Sequence, residues 1–209
     1  MHGTVPALHA LTNDVVLADP AFVASATAIM QACRHRVAIH LRGAETTARR
    51  LLELALELRV VSEITGSWVL MNDRVDIALV AGVSGAQLTS RSLTIADARR
   101  IAPRMVLGAS VHDARDAWIT AQSGATFLVA GPSADASARS TGASHFVEDV
   151  VQAADTCPVI AVGGMTPDRA HELGRIGAAG VAAMRGIWLD DAAAATRRYL
   201  AAHDEGFRR

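Results

Sequence analysis

Short apolar runs recur along the chain and alternate with longer stretches in which apolar and charged residues mix at helical spacing. Val5 to Leu11, Val37 to Arg42, Ser67 to Met71, Gly85 to Leu88, Met105 to Ser110, Thr126 to Gly131, Pro158 to Val162 and Ala179 to Met184 read as strands. Their near-continuous hydrophobicity suits strands covered on both faces. The intervening stretches predict helices from Asp19-Pro20 to about Arg34, Thr46 to Val60, Arg74 to Ala81, Ile95 to Ile101, His112 to Ser123, Ser144 to Ala154, Thr166 to near Gly174 or Gly177, and Asp190 to Ala202. Thr46 to Val60 carries leucines at 51, 52, 54, 56 and 58 among charged residues, an apolar stripe that must pack on a sheet. Thr166-Pro167-Asp168 is a strong helix start, with threonine to cap, proline to pre-set φ and an acid for the positive end.

Strands and helices in strict alternation predict a parallel sheet, and eight pairs favour closure into an eight-stranded (β/α)8 TIM barrel over an open doubly wound sheet. The first strand-to-helix turn has no GxGxxG, which removes the main support for a dinucleotide-binding fold. In a barrel, function lies in the loops that follow each strand. Those loops contain Thr12-Asn13-Asp14, His40-Leu41-Arg42, Asn72-Asp73-Arg74, Thr89-Ser90-Arg91, Ser110-Val111-His112, Pro132 to Gly142, Gly163-Gly164 and Met184-Arg185-Gly186.

Composition narrows the chemistry. With 209 residues, 51% of them hydrophobic, and no low-complexity tract, the chain is expected to form one domain with its own core. A formal charge of -1 argues against a nucleic-acid surface, which needs a clustered cationic face. Every basic residue is arginine, so lysine Schiff-base chemistry is excluded. Cys33 and Cys157 lack metal-ligand spacing and are expected to be buried and reduced. No stretch reads as a leader or a membrane span, so a soluble cytoplasmic protein is expected.

The glycines at the ends of strands seven and eight, Gly163-Gly164 and Arg185-Gly186, would expose unhindered amides beside an arginine, which suits a phosphate monoester. His40 and Arg42 share strand parity and are expected at the barrel mouth, gripping an anion or a polar ring or else closing the core. Asp73 would cap a helix or hold a Mg2+ ion, although Thr89 to Ser92 supplies no second acid. Ser110 and His112 also share parity; His112 is a candidate acid or base, with Ser110 and His112 starting a helix as the plainer alternative. Arg139, in the long polar loop Pro132 to Gly142, would close on phosphate.

The segments LHALTND, IHLR, MNDRVDIA, GAQLTSRS, GASVHD, the strand-six GP, AVGGMTPDR and GAAGVAAMRGI, in this order, make the chain resemble the thiamine phosphate synthase and TenI (thiazole tautomerase) superfamily over almost its whole length. The resemblance implies a barrel binding a thiazole phosphate near Gly164, Met184, Arg185 and Gly186. Its synthase branch joins a hydroxymethylpyrimidine diphosphate to that thiazole phosphate with Mg2+, at positions matching His40, Arg42, Ala44, Asn72, Asp73, Ser92, Ser110 and Arg139. Where that branch has glutamine, lysine and a second aspartate, this chain has His40, Ala44 and Ser92, and Arg139 replaces a further lysine. The tautomerase branch moves a proton without metal, and IHLR, SVH and GGMTPDR resemble it, but Pro132 stands where its base histidine would be. The sequence thus favours a TenI-like proton shift with His40 or His112 as base and no cofactor. The alternatives are the Mg2+-dependent synthase and a non-catalytic thiazole or thiamine phosphate binder. Apolar helix faces leave room for a homodimer.

Overall fold

A computed structural model describes residues 4–131 and 142–208. Eight parallel strands, β1 Leu8–Leu11, β2 Val37–Leu41, β3 Trp68–Asn72, β4 Gly85–Leu88, β5 Val106–Val111, β6 Phe127–Ala130, β7 Val159–Val162 and β8 Gly180–Ala183, pair in sequence order, and β8 closes on β1. The helices around them are α1 Asp14–Ala18, α2 Phe22–Cys33, α3 Ala48–Thr65, α4 Val75–Ala81, α5 Ile95–Ile101, α6 Ala114–Gln122, α7 Gly142–Ala153, α8 Pro167–Arg175 and α9 Ala192–Phe207. The expected (β/α)8 barrel is therefore the fold. Among the described residues no helix is long and apolar enough to cross a membrane.

Strand alternation divides the core in two. One set, including Leu8, Ile39, Val69, Leu107 and Val181, packs outward against the helices, and a smaller set, including Trp68, Leu70, Phe127 and Ile160, fills the barrel. The pairings fix how the inward side chains stack, because a closed barrel of this stagger shifts one residue per strand. Trp68 and Val106 point inward at the bottom, and Ala38, Gly85, Phe127 and Gly180 form the first of four levels above them. His9, Leu70, Gly108 and Ile160 lie above it, then His40, Gln87, Val129 and Ala182, and finally Leu11, Asn72, Ser110 and Val162 at the mouth. Phe127 fills the barrel axis because its own level otherwise holds only glycine and alanine. Gly108 in the level above is equally necessary, since a Cβ there would strike the Phe127 ring.

Several local expectations change. Asn13 caps α1, accepting from the Val16 N–H at 2.9 Å, in a segment that reads as loop because it holds barely one turn. Helix α3 runs on to Thr65 and ends where Gly66 adopts φ 74°, the left-handed conformation glycine reaches without Cβ strain. Helix α6 begins at Ala114 rather than His112, because Asp113 accepts from the Asp116 N–H and is the cap. Ser110 consequently stays in β5 and caps nothing. Asp73 does not cap α4 either; the cap position is Arg74, without a side-chain bond.

Candidate active site at the barrel mouth

The C-terminal ends of the strands form a mouth with two unlike halves. On the β7–β8 side, Gly163 and Gly164 have φ 114° and 54°, so the backbone turns sharply after β7. A Cβ on Gly164 would meet nothing within 4 Å and would project into free space. Thr166 then caps α8 by accepting from the Arg169 N–H at 3.2 Å, with Pro167 in the first turn, as the sequence predicts. Among the described residues nothing accepts from the amides of Gly164, Arg185 or Gly186. The Arg185 side chain is exposed and Met184 is half-buried beside it.

Both glycine loops rest on one side chain. Tyr199, on α9 and only 4% exposed, donates to the Met165 carbonyl at 3.0 Å, and its hydroxyl occupies the space a Cβ on Gly186 would need. Trp188 donates from Nε1 to the Leu11 carbonyl at 2.7 Å, fastening the β8 loop to the end of β1. Free amides, a helix N-terminus and an arginine on a braced frame are suited to a phosphate group.

On the β1–β4 side lies a cavity of about 450 Å³ whose lining includes Asp14, Arg42, Asn72, Asp73, Arg74 and Arg91. Arg42 follows β2, and its backbone is held by Thr12, whose Oγ1 accepts from the Arg42 N–H at 2.8 Å and donates to the His40 carbonyl at 2.9 Å. Its exposed guanidinium has no partner among the described residues. Arg74 is paired with Asp76 at 2.6 Å, which holds the Asp76 carboxyl below its ordinary range. Asp14 accepts from the N–H groups of Ala44, Glu45 and Thr46 and from the Thr46 hydroxyl, and these bonds lower its pKa and fix the β2–α3 loop.

Asp73 serves as a clasp. At φ 59° its carboxylate accepts from the Thr89 N–H at 2.7 Å, the Thr89 hydroxyl at 3.0 Å and the Asn72 amide at 2.7 Å, tying the β3 loop to the β4 loop. A divalent cation would have to compete with three donors for those oxygens. Ser92 offers no carboxylate, and among the described residues no three His, Cys, Asp or Glu side chains gather as a metal site. The donor set does not fit a Mg2+ held by paired carboxylates.

The two candidate bases are separated. His40 lies one level below the mouth, 1% exposed, with Nε2 2.7 Å from Nδ1 of His9. Burial, assisted by the neighbouring ring, holds its pKa well below the ordinary histidine value, so it is a neutral imidazole and a weak proton acceptor. His112 is exposed and lines a different groove with Ser92, Ser110 and Asp116, its N–H bonded to the Asp116 carboxylate at 3.2 Å. Ser110 accepts from the Gln87 amide at 3.1 Å. Pro132 and Arg139 lie outside the described residues. The sequence places Thr12 and Asp14 in a loop at the mouth without giving them a role, and it does not single out His9, Gln87 or Tyr199; a lone polar residue inside an apolar strand, as in LHAL or GAQL, was the available signal for His9 and Gln87.

Comparison with known proteins identifies the family. The family model described as thiamine monophosphate synthase matches residues 15–187. The thiamine-phosphate synthase of Methanoregula boonei is 34% identical over 156 residues, which cover 72% of this chain and 71% of the relative. That of Methanoculleus marisnigri is 32% identical over 179 residues, covering 80% and 84%. Among solved structures, thiamine phosphate pyrophosphorylase from Pyrococcus furiosus matches with a TM-score of 0.83 at 25% identity over 98% of both chains. The chain belongs to the thiamine monophosphate synthase family.

Proposed function

We propose that this chain joins two phosphorylated rings, displacing pyrophosphate from a hydroxymethylpyrimidine diphosphate with the ring nitrogen of a thiazole phosphate. The observation that carries this reading is the two-sided mouth. A proton shift on one carboxythiazole phosphate has one phosphate and one carboxylate to hold, whereas a diphosphate leaving group calls for several cationic donors, and the arginine-lined cavity of β1 to β4, apart from the glycine loops of β7 and β8, is suited to supply them. The thiazole phosphate belongs at Gly164, Arg185 and Gly186. The diphosphate belongs beside Arg42 and Arg91, whose guanidinium groups are suited to bind its oxygens in pairs and to take up negative charge as the carbon–oxygen bond breaks. The relatives' names point the same way. Because the donor set at Asp73 does not fit Mg2+, arginines carry the charge neutralisation in this proposal.

The test is to supply both substrates and follow pyrophosphate and thiamine phosphate together, with and without EDTA. Equal formation of both products in the two conditions is expected. No product from either condition refutes coupling, and activity lost on chelation and restored by Mg2+ refutes the arginine-only account. A tautomerase-type shift on a carboxythiazole phosphate is the second reading, favoured by the histidine pair below the mouth. The lowered pKa of His40 weighs against it as the base. Turnover of the carboxythiazole phosphate alone would put that reading first.

A further inference from the structure

The outer face of α3 carries apolar side chains that the rest of the barrel leaves in the open. Leu52, Leu56, Val60 and Ile64 recur at every fourth residue and so form one ridge along the helix. Leu52 borders a cleft against Val80 of α4, while Val60 is 58% and Ile64 72% exposed. Val80 is itself 74% exposed, and Leu79 beside it is exposed too. Twelve large apolar side chains are strongly exposed among the described residues, and five of them lie on α3 and α4, so the exposure is clustered rather than scattered. Clustered exposure of this kind marks a contact surface.

Charge indicates what kind of partner fits. Helix α3 carries Arg49, Arg50 and Arg59 against Glu53, Glu57 and Glu63, so the face lacks the cationic excess that would attract an anionic membrane or a nucleic acid. Within the chain Arg59 holds Oε1 of Glu63 at 2.8 Å and Arg50 holds Glu53 at 3.4 Å. Arg49 has no ion-pair partner among the described residues.

A second copy of the same helix supplies what is missing. Laid antiparallel about a twofold axis at Leu56, the ridge is its own complement, because Leu56 meets its own copy and Leu52 meets Val60. In the same register Arg49 falls opposite Glu63 and Glu53 opposite Arg59, so no like charges face each other. The flanks agree as well. Arg49 borders the cleft beside Val80 and Glu63 the cavity beside Leu79, which puts both on the α4 side of the ridge, and an antiparallel twofold sets each flank against its own copy. Because α3 starts at the mouth and runs to the opposite end of the barrel, the two mouths of such a pair open in opposite directions and both stay free.

We propose that this face binds a second copy of the chain, with α3 antiparallel to its counterpart about Leu56 and Arg49 paired with Glu63 of the partner subunit. The proposal is independent of the reaction, so its test uses no substrate.

Sedimentation equilibrium of the parent should give the mass of two chains. Val60→Glu places a carboxylate in the middle of the ridge at an exposed position and should give a folded monomer, its circular dichroism unchanged. Arg49→Glu and Glu63→Arg each set like charges against one another at both copies of the pair, and each should raise the dimer Kd by about tenfold or more. Mixed in equal amounts, those two single variants form a heterodimer in which both pairs again have opposite signs, so near-parental affinity should return. Loss of the exposed Arg59 pair in Glu63→Arg changes this little, since such surface pairs contribute weakly. A parent that stays monomeric at about 0.1 mM, where a contact of even modest affinity would be populated, overturns the proposal. So does a Val60→Glu protein that remains dimeric. A mixture that associates no more tightly than its components overturns the register and with it the proposed pairing.

Discussion

Acidification should destabilise this barrel in a window set by its interior histidines. His9 is fully buried, and burial pushes its pKa from 6.5 down to about 3, partly offset by its bond to Pro6. In the unfolded chain the same imidazole titrates near 6.5. Above that value neither state holds the proton, and the stability is present in full. Between 6.5 and about 3 the unfolded chain binds a proton that the native state refuses, so stability rises with pH across the window and is lost as pH falls through it. For one group this amounts to about 1.4 kcal/mol per pH unit, or about 2 kcal/mol on going from about pH 8 to about pH 5. His40 shifts in the same direction and adds to the loss. The lowered carboxyls of Asp14 and Asp76 lose their contribution as pH falls through and below their ordinary value of 3.8, at the acid end of this window. Urea unfolding at a series of pH values, on the parent and on His9→Leu, isolates the contribution. The variant should lose about one proton's worth of slope between about pH 6 and pH 4. Identical slopes in the two proteins would show that His9 does not titrate as its burial requires.

Gly164→Val adds a branched side chain at φ 54° in the space assigned to the phosphate, and should reduce thiazole phosphate affinity by about tenfold or more in calorimetry; undiminished binding by a folded variant would remove that site. Arg42→Ala should weaken pyrimidine diphosphate binding by about 1.5–3 kcal/mol while barely changing thermal stability, because the guanidinium is exposed and unpaired among the described residues. A lowered melting temperature with unchanged affinity would instead mark Arg42 as scaffold. Tyr199→Phe deletes the bond to Met165 and should cost about 1 kcal/mol of stability, with weaker thiazole phosphate binding measured alongside; a stability loss with undiminished binding would separate the brace from the site.

The barrel was legible because each strand is a compact apolar run bounded by turn residues, and eight such runs alternate with amphipathic stretches. The glycine turns were legible for the same local reason, whereas His40 and Arg42, expected together at the mouth, are divided, His40 buried one level below it and Arg42 exposed at the cavity. What lay hidden depends on register across the sheet. Nothing near His9 in sequence announces that it meets His40, 31 residues away, or that Tyr199 reaches Met165, 34 residues back. The clasp made by Asp73 was hidden too, since its unusual φ and its bonds to Thr89 arise only once β3 and β4 pair. Helix α1 escaped because an isolated turn has no periodicity to read, yet it carries the aspartate that shapes the β2–α3 loop.

The brace under the glycine loops has a consequence for how the site comes into being. Tyr199 belongs to the final helix, and the β8 loop it supports is anchored by Trp188 to β1 at the opposite end of the chain. A growing chain that has completed its first seven strands would hold the arginine-lined half of the mouth but neither the β8 glycines nor the tyrosine beneath them. Phosphate affinity would therefore appear last, when the two ends of the polypeptide meet, and a bound thiazole phosphate would act as a latch on that closure, stabilising the seam between β8 and β1 in proportion to its occupancy.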